Sequence, residues 1–244
     1  MVKFFWAADF IHPPLFPPPD LLPVMTHHSP LTTHHMSCAI IDYESGNLHS
    51  VHKAVLAVSP PQDRVVVTSD PEEILAARRI VLPGVGAFGA CMQGLLDRPG
   101  VLGALTQAVR KNKVPFLGIC VGMQLLARVG YEHGLHHGLG WIDGEVAAIP
   151  KAEGLKIPHM GWNTLTVARD HPVLDASFAG AFVYFVHSYH ITPTDPDTVL
   201  ATVDHGMPLA AAVGQGNILG VQFHPEKSGP VGLRLLQNFI QWEP

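Results

Sequence analysis

Two short segments carry residues that can do covalent chemistry together. The first is Gly118-Ile119-Cys120-Val121-Gly122, set between the apolar run Pro115 to Ile119 and the apolar Met123-Gln124-Leu125-Leu126. A cysteine between two glycines at a strand-to-helix switch has the form of a nucleophile elbow. The small residues let the backbone turn sharply, so the central side chain stands out at the carboxyl end of the strand. A helix starting there places Cys120 beside free N–H groups and a positive dipole end, which favour thiolate over thiol. The second segment, Gln222-Phe223-His224-Pro225-Glu226, closes an apolar strand. His224 can take the thiol proton and return it to a departing amine. In an extended chain Glu226, two residues on, projects to the same face and fixes the imidazole tautomer. Cys120, His224 and Glu226 therefore make a complete triad.

Taken singly these residues say little. A lone cysteine in an apolar run is more often structural, a reading that suits Cys38 and Cys91. With sixteen histidines in the chain, any one of them is weak as a sign of catalysis. The weight lies on the pairing of the elbow with a distant His-Pro-Glu.

The elements that must position this pair read as α/β. Cys38 to Tyr43, Arg64 to Thr68, Arg79 to Leu82 and Pro115 to Ile119 are short apolar runs bounded by turn residues. Leu48 to Val58 and Val101 to Lys111 carry apolar residues at helical spacing between them, and the alternation predicts βαβ units on a mostly parallel central sheet flanked by helices. After Trp141 the texture changes to strands separated by Gly, Pro and Asp: Gly144 to Ile149, Leu165 to Val167, Phe182 to Val186, Val199 to Val203 and Ile218 to Phe223. A mixed or antiparallel extension is predicted there. Val231 to Trp242 closes the chain as a helix packed on the sheet.

Composition narrows the class. The chain has 244 residues, a formal charge of −5 and 47% hydrophobic residues, enough for one globular core. No basic stripe marks a nucleic-acid partner, and no apolar run is long enough to span a membrane. Three cysteines without framework spacing fit a reducing, cytoplasmic compartment. Residues 1 to 36 hold seven of the 22 prolines and five of the 16 histidines and have no periodic pattern. They read as a flexible extension outside the fold, which occupies residues 37 to 244. The His27/His28 and His34/His35 pairs read as solvated, and no motif implies a metal or an organic cofactor.

The Gly-Ile-Cys-Val-Gly-Met-Gln elbow with its distant Phe-His-Pro-Glu resembles the class I glutamine amidotransferases. Five further segments resemble the histidine-pathway branch of that family: Ile41 to Leu48, Pro83 to Phe88, Pro158 to Asn163, Phe185 to Tyr189, and Gln222 to Ser228. The likeness runs from about Cys38 to the C-terminus. It implies hydrolysis of L-glutamine to glutamate and ammonia, with the ammonia passed to a separate (β/α)₈-barrel cyclase in a 1:1 heterodimer. The cyclase would form imidazole glycerol phosphate and AICAR. Competing readings are a class I glutaminase serving another acceptor, and a regulatory subunit of the same fold without turnover.

The resemblance also assigns roles around the triad. The tetrahedral oxyanion needs preset N–H donors. Val121 supplies one, and the Gly84-Val85-Gly86 loop supplies the other from Val85. Gly86, Gln124, Glu132, His187, Ser188 and Tyr189 are expected to hold the glutamine, with Glu132 near its α-amino group. Asn47, His159, Met160, Trp162, Tyr184 and Lys227 are candidate contacts to the cyclase, with Pro158 to Asn163 read as a loop.

Overall fold

The computed structural model describes residues 36 to 244, so most of the Pro/His-rich segment lies outside the described residues. Residues 36 to 120 run β1 (Met36–Ile41), α1 (Leu48–Val58), β2 (Arg64–Thr68), α2 (Pro71–Ala76), β3 (Ile80–Gly84), α3 (Phe88–Asp97), α4 (Val101–Thr106) and β4 (Phe116–Cys120). Then come α5 (Val121–Gln124), β5 (Val129–Gly130), β6 (His136–His137), β7 (Gly144–Ala148), β8 (His159–Val167), β9 (Phe182–His187) and β10 (Tyr189–Pro193). The chain ends with β11 (Val199–Asp204), β12 (Pro208–Gln215), β13 (Ile218–Val221) and α6 (Gly229–Gln241). Beyond α4 the helix continues as a wider turn over Gln107–Lys111.

Nine strands form the main sheet in the order β2-β1-β3-β4-β13-β12-β11-β8-β9. The pairings among β2, β1, β3, β4 and β13 are parallel, and those from β13 out to β9 are antiparallel. The predicted parallel sheet with an antiparallel extension is thus what the chain forms. Parallel strands buried on both faces need continuous apolar runs, and every residue of β3, β4 and β13 is buried. A smaller sheet, β10-β7-β5-β6, lies apart from the main one in its pairing. The order reverses at β1, with β2 to one side and β3 to the other, so right-handed crossovers put α1 and α2 on opposite faces. Accordingly α1 packs with α6, and α2 with α4.

Several elements differ from the sequence expectation. Pro158 to Asn163 is not a loop: it opens β8, paired from His159↔His187 to Thr164↔Phe182. Its glycine and asparagine resemble turn punctuation, but β9 pairs with it residue by residue, and β11 holds the rest of β8 from Leu165 to Val167. Three successive alanines, Ala210 to Ala212, give β12 little strand propensity, yet it fills the sheet between β11 and β13, a strand the sequence pattern does not predict. The helices α2 and α3 were also not foreseen. At the start of the domain β1 takes in Met36, one residue before the predicted boundary.

The carboxyl ends of β3, β4 and β13 converge at one edge, where open α/β sheets place their ligands. The register sets Gly84 beside Cys120, and Val221 beside Ile119. Backbone packing there is close: a Cβ on Gly122 would fall 1.9 Å from the Leu82 carbonyl oxygen, and one on Gly84 would fall 2.8 Å from the Gly122 nitrogen. Only glycine fits either position.

Candidate active site

Cys120 ends β4 with φ +54° and ψ −111°, a conformation that a side chain adopts only under constraint from its surroundings. The glycines supply that constraint, since Gly118 and Gly122 let the chain fold back within van der Waals range of itself. The helix that follows is shorter than the sequence implied. Val121 to Gln124 make a single turn, and Leu125 and Leu126 already lie beyond it. A macrodipole built over one turn is weak, so local donors matter more to the sulfur than the helix does.

His224 follows β13, and Glu226 reaches it by a different route from the one expected. Pro225 to Lys227 form a 3₁₀ turn, not an extended segment. The proline sets φ for that turn, which swings Glu226 back under the imidazole. His224 Nδ1 and Glu226 Oε1 are 2.9 Å apart with both side chains buried. The remaining ring nitrogen, Nε2, is buried without a hydrogen bond. Its interaction with Cys120 is strong enough to shift its protonation, but the sulfur stands outside hydrogen-bond geometry. Burial pulls the His224 pKa down; the neighbouring Cys120 sulfur and the Glu226 carboxylate outweigh it and lift the pKa to about 9. The imidazole is therefore protonated at neutral pH.

A folded-state pKa raised from 6.5 to about 9 stabilises the fold fully below pH 6.5, and that contribution is lost as pH rises through about 9. Glu226→Gln removes part of the cause, so the His224 titration midpoint is expected to fall and the loss of stability over this window to flatten. NMR titration of the His224 ring and thermal unfolding against pH measure the two effects. A midpoint that stays near 9 in the variant would mean that the carboxylate does not act on the ring.

A cavity of about 400 Å³ opens over the sulfur. Its lining includes the predicted Val85, Gly86, Cys120, Val121, Gln124, Glu132, His187, Ser188, Tyr189 and His224, and adds Pro158 and Val186. Within it several groups are already engaged. Gln124 is buried and gives its Nε2 to Tyr189 O at 2.9 Å and to Gln222 Oε1 at 3.0 Å. Glu132 Oε2 accepts from the Phe88 N–H at 2.7 Å, at the first residue of α3. The Ser188 carbonyl accepts from Ile149, and the Tyr189 carbonyl also meets His187 Nδ1. Val121, as the first residue of α5, has an N–H without an acceptor inside its own helix.

The Val85 N–H does not stand ready for an oxyanion in this conformation. It donates to Ser45 Oγ at 3.3 Å, while Ser45 Oγ–H donates to the Val85 carbonyl at 2.6 Å. Cys91 Sγ adds a 3.4 Å contact to the same carbonyl. Ser45 comes from the loop after β1, 40 residues away in sequence.

The candidate contact residues divide into two groups. Met160 and Trp162 are 62% and 56% exposed, and Phe182, which sequence reasoning passed over, is 58% exposed. With Tyr184 they share one face of β8 and β9, the Trp162 and Tyr184 rings lying edge to face at 6.1 Å. Lys227 is exposed, its Nζ 5.7 Å from the Tyr184 ring, and Asn47 precedes α1 at a half-buried position. His159 does not belong with them. It is 4% exposed, stacked between Phe185 and His205 and bonded to His187 Nε2, so it cannot anchor a partner directly. Burial lowers its pKa to about 4 and that of His187 to about 3, which keeps the pair neutral. The strand also touches His224, whose backbone N–H donates to the Tyr184 carbonyl.

Comparison with known proteins identifies the family. The family Glutamine amidotransferase class-I matches residues 39–242. The imidazole glycerol phosphate synthase subunit HisH of Zymomonas mobilis is 52% identical over 208 residues, covering 84% of this chain and 96% of that protein. The HisH subunit of Rhodospirillum rubrum is 52% identical over 214 residues, covering 86% and 100%. Among solved structures, PurLQS from Thermotoga maritima superposes with a TM-score of 0.64 at 18% identity, covering 85% of this chain and 98% of that one, a likeness of fold. The chain belongs to the class I glutamine amidotransferases, and within that class to the family of the imidazole glycerol phosphate synthase subunit HisH.

Proposed function

We propose that this chain is the glutaminase subunit of an imidazole glycerol phosphate synthase, acting in histidine biosynthesis and working in the cytoplasm. It hydrolyses L-glutamine to glutamate and ammonia, and a partner cyclase uses the ammonia to form imidazole glycerol phosphate and AICAR. The observation that carries the chemistry is the strained Cys120 elbow facing a buried His224–Glu226 pair across one cavity. Roughly half of all aligned residues are identical to HisH subunits over nearly their whole length, which supports the choice of acceptor.

In this reading Cys120 Sγ attacks the carboxamide carbon, and the carbonyl oxygen becomes an oxyanion held by the Val121 N–H. The Val85 N–H joins it after leaving Ser45. His224 protonates the departing nitrogen, so ammonia leaves and a thioester remains. Water, deprotonated by His224, then breaks the thioester to release glutamate and the thiol. Glu226 orients the ring and balances its charge. The exposed face of Met160, Trp162, Phe182 and Tyr184, with Lys227 and Asn47, is where a separate (β/α)₈-barrel cyclase docks in a 1:1 complex. Among the described residues no helix is long and apolar enough to cross a membrane.

The deciding measurement is product formation by the assembled complex with glutamine or with ammonium salt as nitrogen source. A complex that uses ammonium only refutes the reading. The segment before β1 takes no part in this chemistry, so deletion of residues 1 to 35 is expected to leave turnover and thermal unfolding unchanged. A loss in either after truncation would show that the segment packs on the domain or on its partner.

A further inference from the structure

The triad leaves unexplained a polar side chain placed directly against the nucleophile. Gln222 is fully buried, the only side-chain amide in the apolar run Ile218 to Phe223. β13 runs parallel to β4 with Val221 beside Ile119, so the residue that follows β13 comes level with Cys120. Gln222 Nε2 lies 3.7 Å from Cys120 Sγ, and Gln222 Oε1 accepts from Gln124 Nε2 at 3.0 Å.

The orientation of both amides follows from one fixed point. The Tyr189 carbonyl can only accept, so Gln124 must turn its NH₂ toward it. The second hydrogen of that NH₂ meets Gln222, which must therefore answer with its oxygen. Gln222 is then left with its own NH₂ toward the sulfur. A buried amide costs free energy unless it is satisfied, and here every step of the chain is satisfied only in this sense.

We propose that Gln222 is a positioning residue for the nucleophile: its amide NH₂, locked by Gln124 and Tyr189, holds the Cys120 sulfur and favours the thiolate. An N–H donor stabilises an anionic sulfur more than a neutral one. With α5 only one turn long, this directed donor does work that a long helix would otherwise share. The inference rests on Cys120 being the nucleophile. Other ionisable groups around the sulfur are His224, backed by Glu226, and Glu132 and His187 across the cavity, with Tyr43 from the loop after β1 and Cys91 from α3.

The test is the pH dependence of Cys120 alkylation by iodoacetamide in the full-length chain, followed on the Cys120 peptide by mass spectrometry. Gln222→Glu keeps the shape and lets Gln124 still donate, but sets a carboxylate against the sulfur. Its alkylation midpoint is expected to rise by about one pH unit, roughly a tenfold slower reaction near neutrality. Gln222→Met, which removes the donor without adding charge, is expected to shift the midpoint less and in the same direction. In glutamine hydrolysis both variants should lose kcat with little change in KM. An unshifted midpoint in a folded variant overturns the proposal, even where activity or stability has dropped, because a merely structural role would leave the sulfur's titration alone. If Gln222→Glu does not fold, Gln222→Met decides. Failure of the nucleophile assignment looks different: Cys120→Ser would then retain glutamine turnover.

Discussion

Cys120→Ala is expected to abolish glutamine-dependent synthesis by the complex, while synthesis from added ammonium continues at the wild-type rate. The alanine cannot form the thioester, and what remains is binding and the oxyanion donors, so the glutaminase step should fall by something on the order of 10⁴- to 10⁶-fold. Ammonium enters downstream of that step and does not need the sulfur. His224→Asn should be nearly as severe, because the same ring serves the departing nitrogen and the attacking water. Glu226→Gln should keep more activity, since the carboxylate orients and charges the ring without touching substrate. Purified complexes assayed with each nitrogen source separate these cases. Substantial glutamine turnover by the Cys120 variant would sink the assignment, whereas loss of both activities would point to failed assembly.

The second large effect is on the free chain. Isolated protein is expected to hydrolyse glutamine poorly, and addition of the cyclase with its ligand to raise the rate by roughly 10²- to 10³-fold, the value of one missing oxyanion donor. The reason is the Val85 N–H, which is already engaged by Ser45. Docking against the β8–β9 face and the neighbouring Asn47 loop, which carries Ser45, can release it. The effect is a coupling free energy between two sites and must be reciprocal for binding: glutamine should tighten the complex. Ser45→Ala should raise the rate of the free chain toward that of the complex. Equal turnover with and without cyclase would refute the idea.

Much of this arrangement was legible before any coordinates. The parallel strands announced themselves because burial on both faces forces unbroken apolar runs, as in Phe116 to Cys120. The elbow and the His-Pro-Glu were legible because each is local. What escaped was whatever another segment decides. The first half of β8 became a strand because β9 pairs with it, and the alanines of β12 because β11 and β13 leave a place between them. The restraint on Val85 depends on a serine 40 residues away, and the meaning of Gln222 on a partner 98 residues away. A polar residue inside an apolar strand was nonetheless a visible signal, and Gln222 could have been found by it.

The close packing of glycines beneath Cys120 also limits how a signal can arrive. With Gly122 wedged against the Leu82 carbonyl and Gly84 against Gly122, the ends of β3 and β4 have no side-chain cushion through which to slide. They are packed as one plate. The next residues differ: Gly86 sits at φ +98° with open space where a side chain would be, and the two peptides flanking Val85 are held by Ser45 and Cys91 rather than by strand pairing. Turning the Gly84–Val85 peptide, which carries the Val85 N–H, means giving up the Ser45 bond first. A site built on such a rotor answers its partner as a switch with two positions, and tuning its output means changing how long it spends in each.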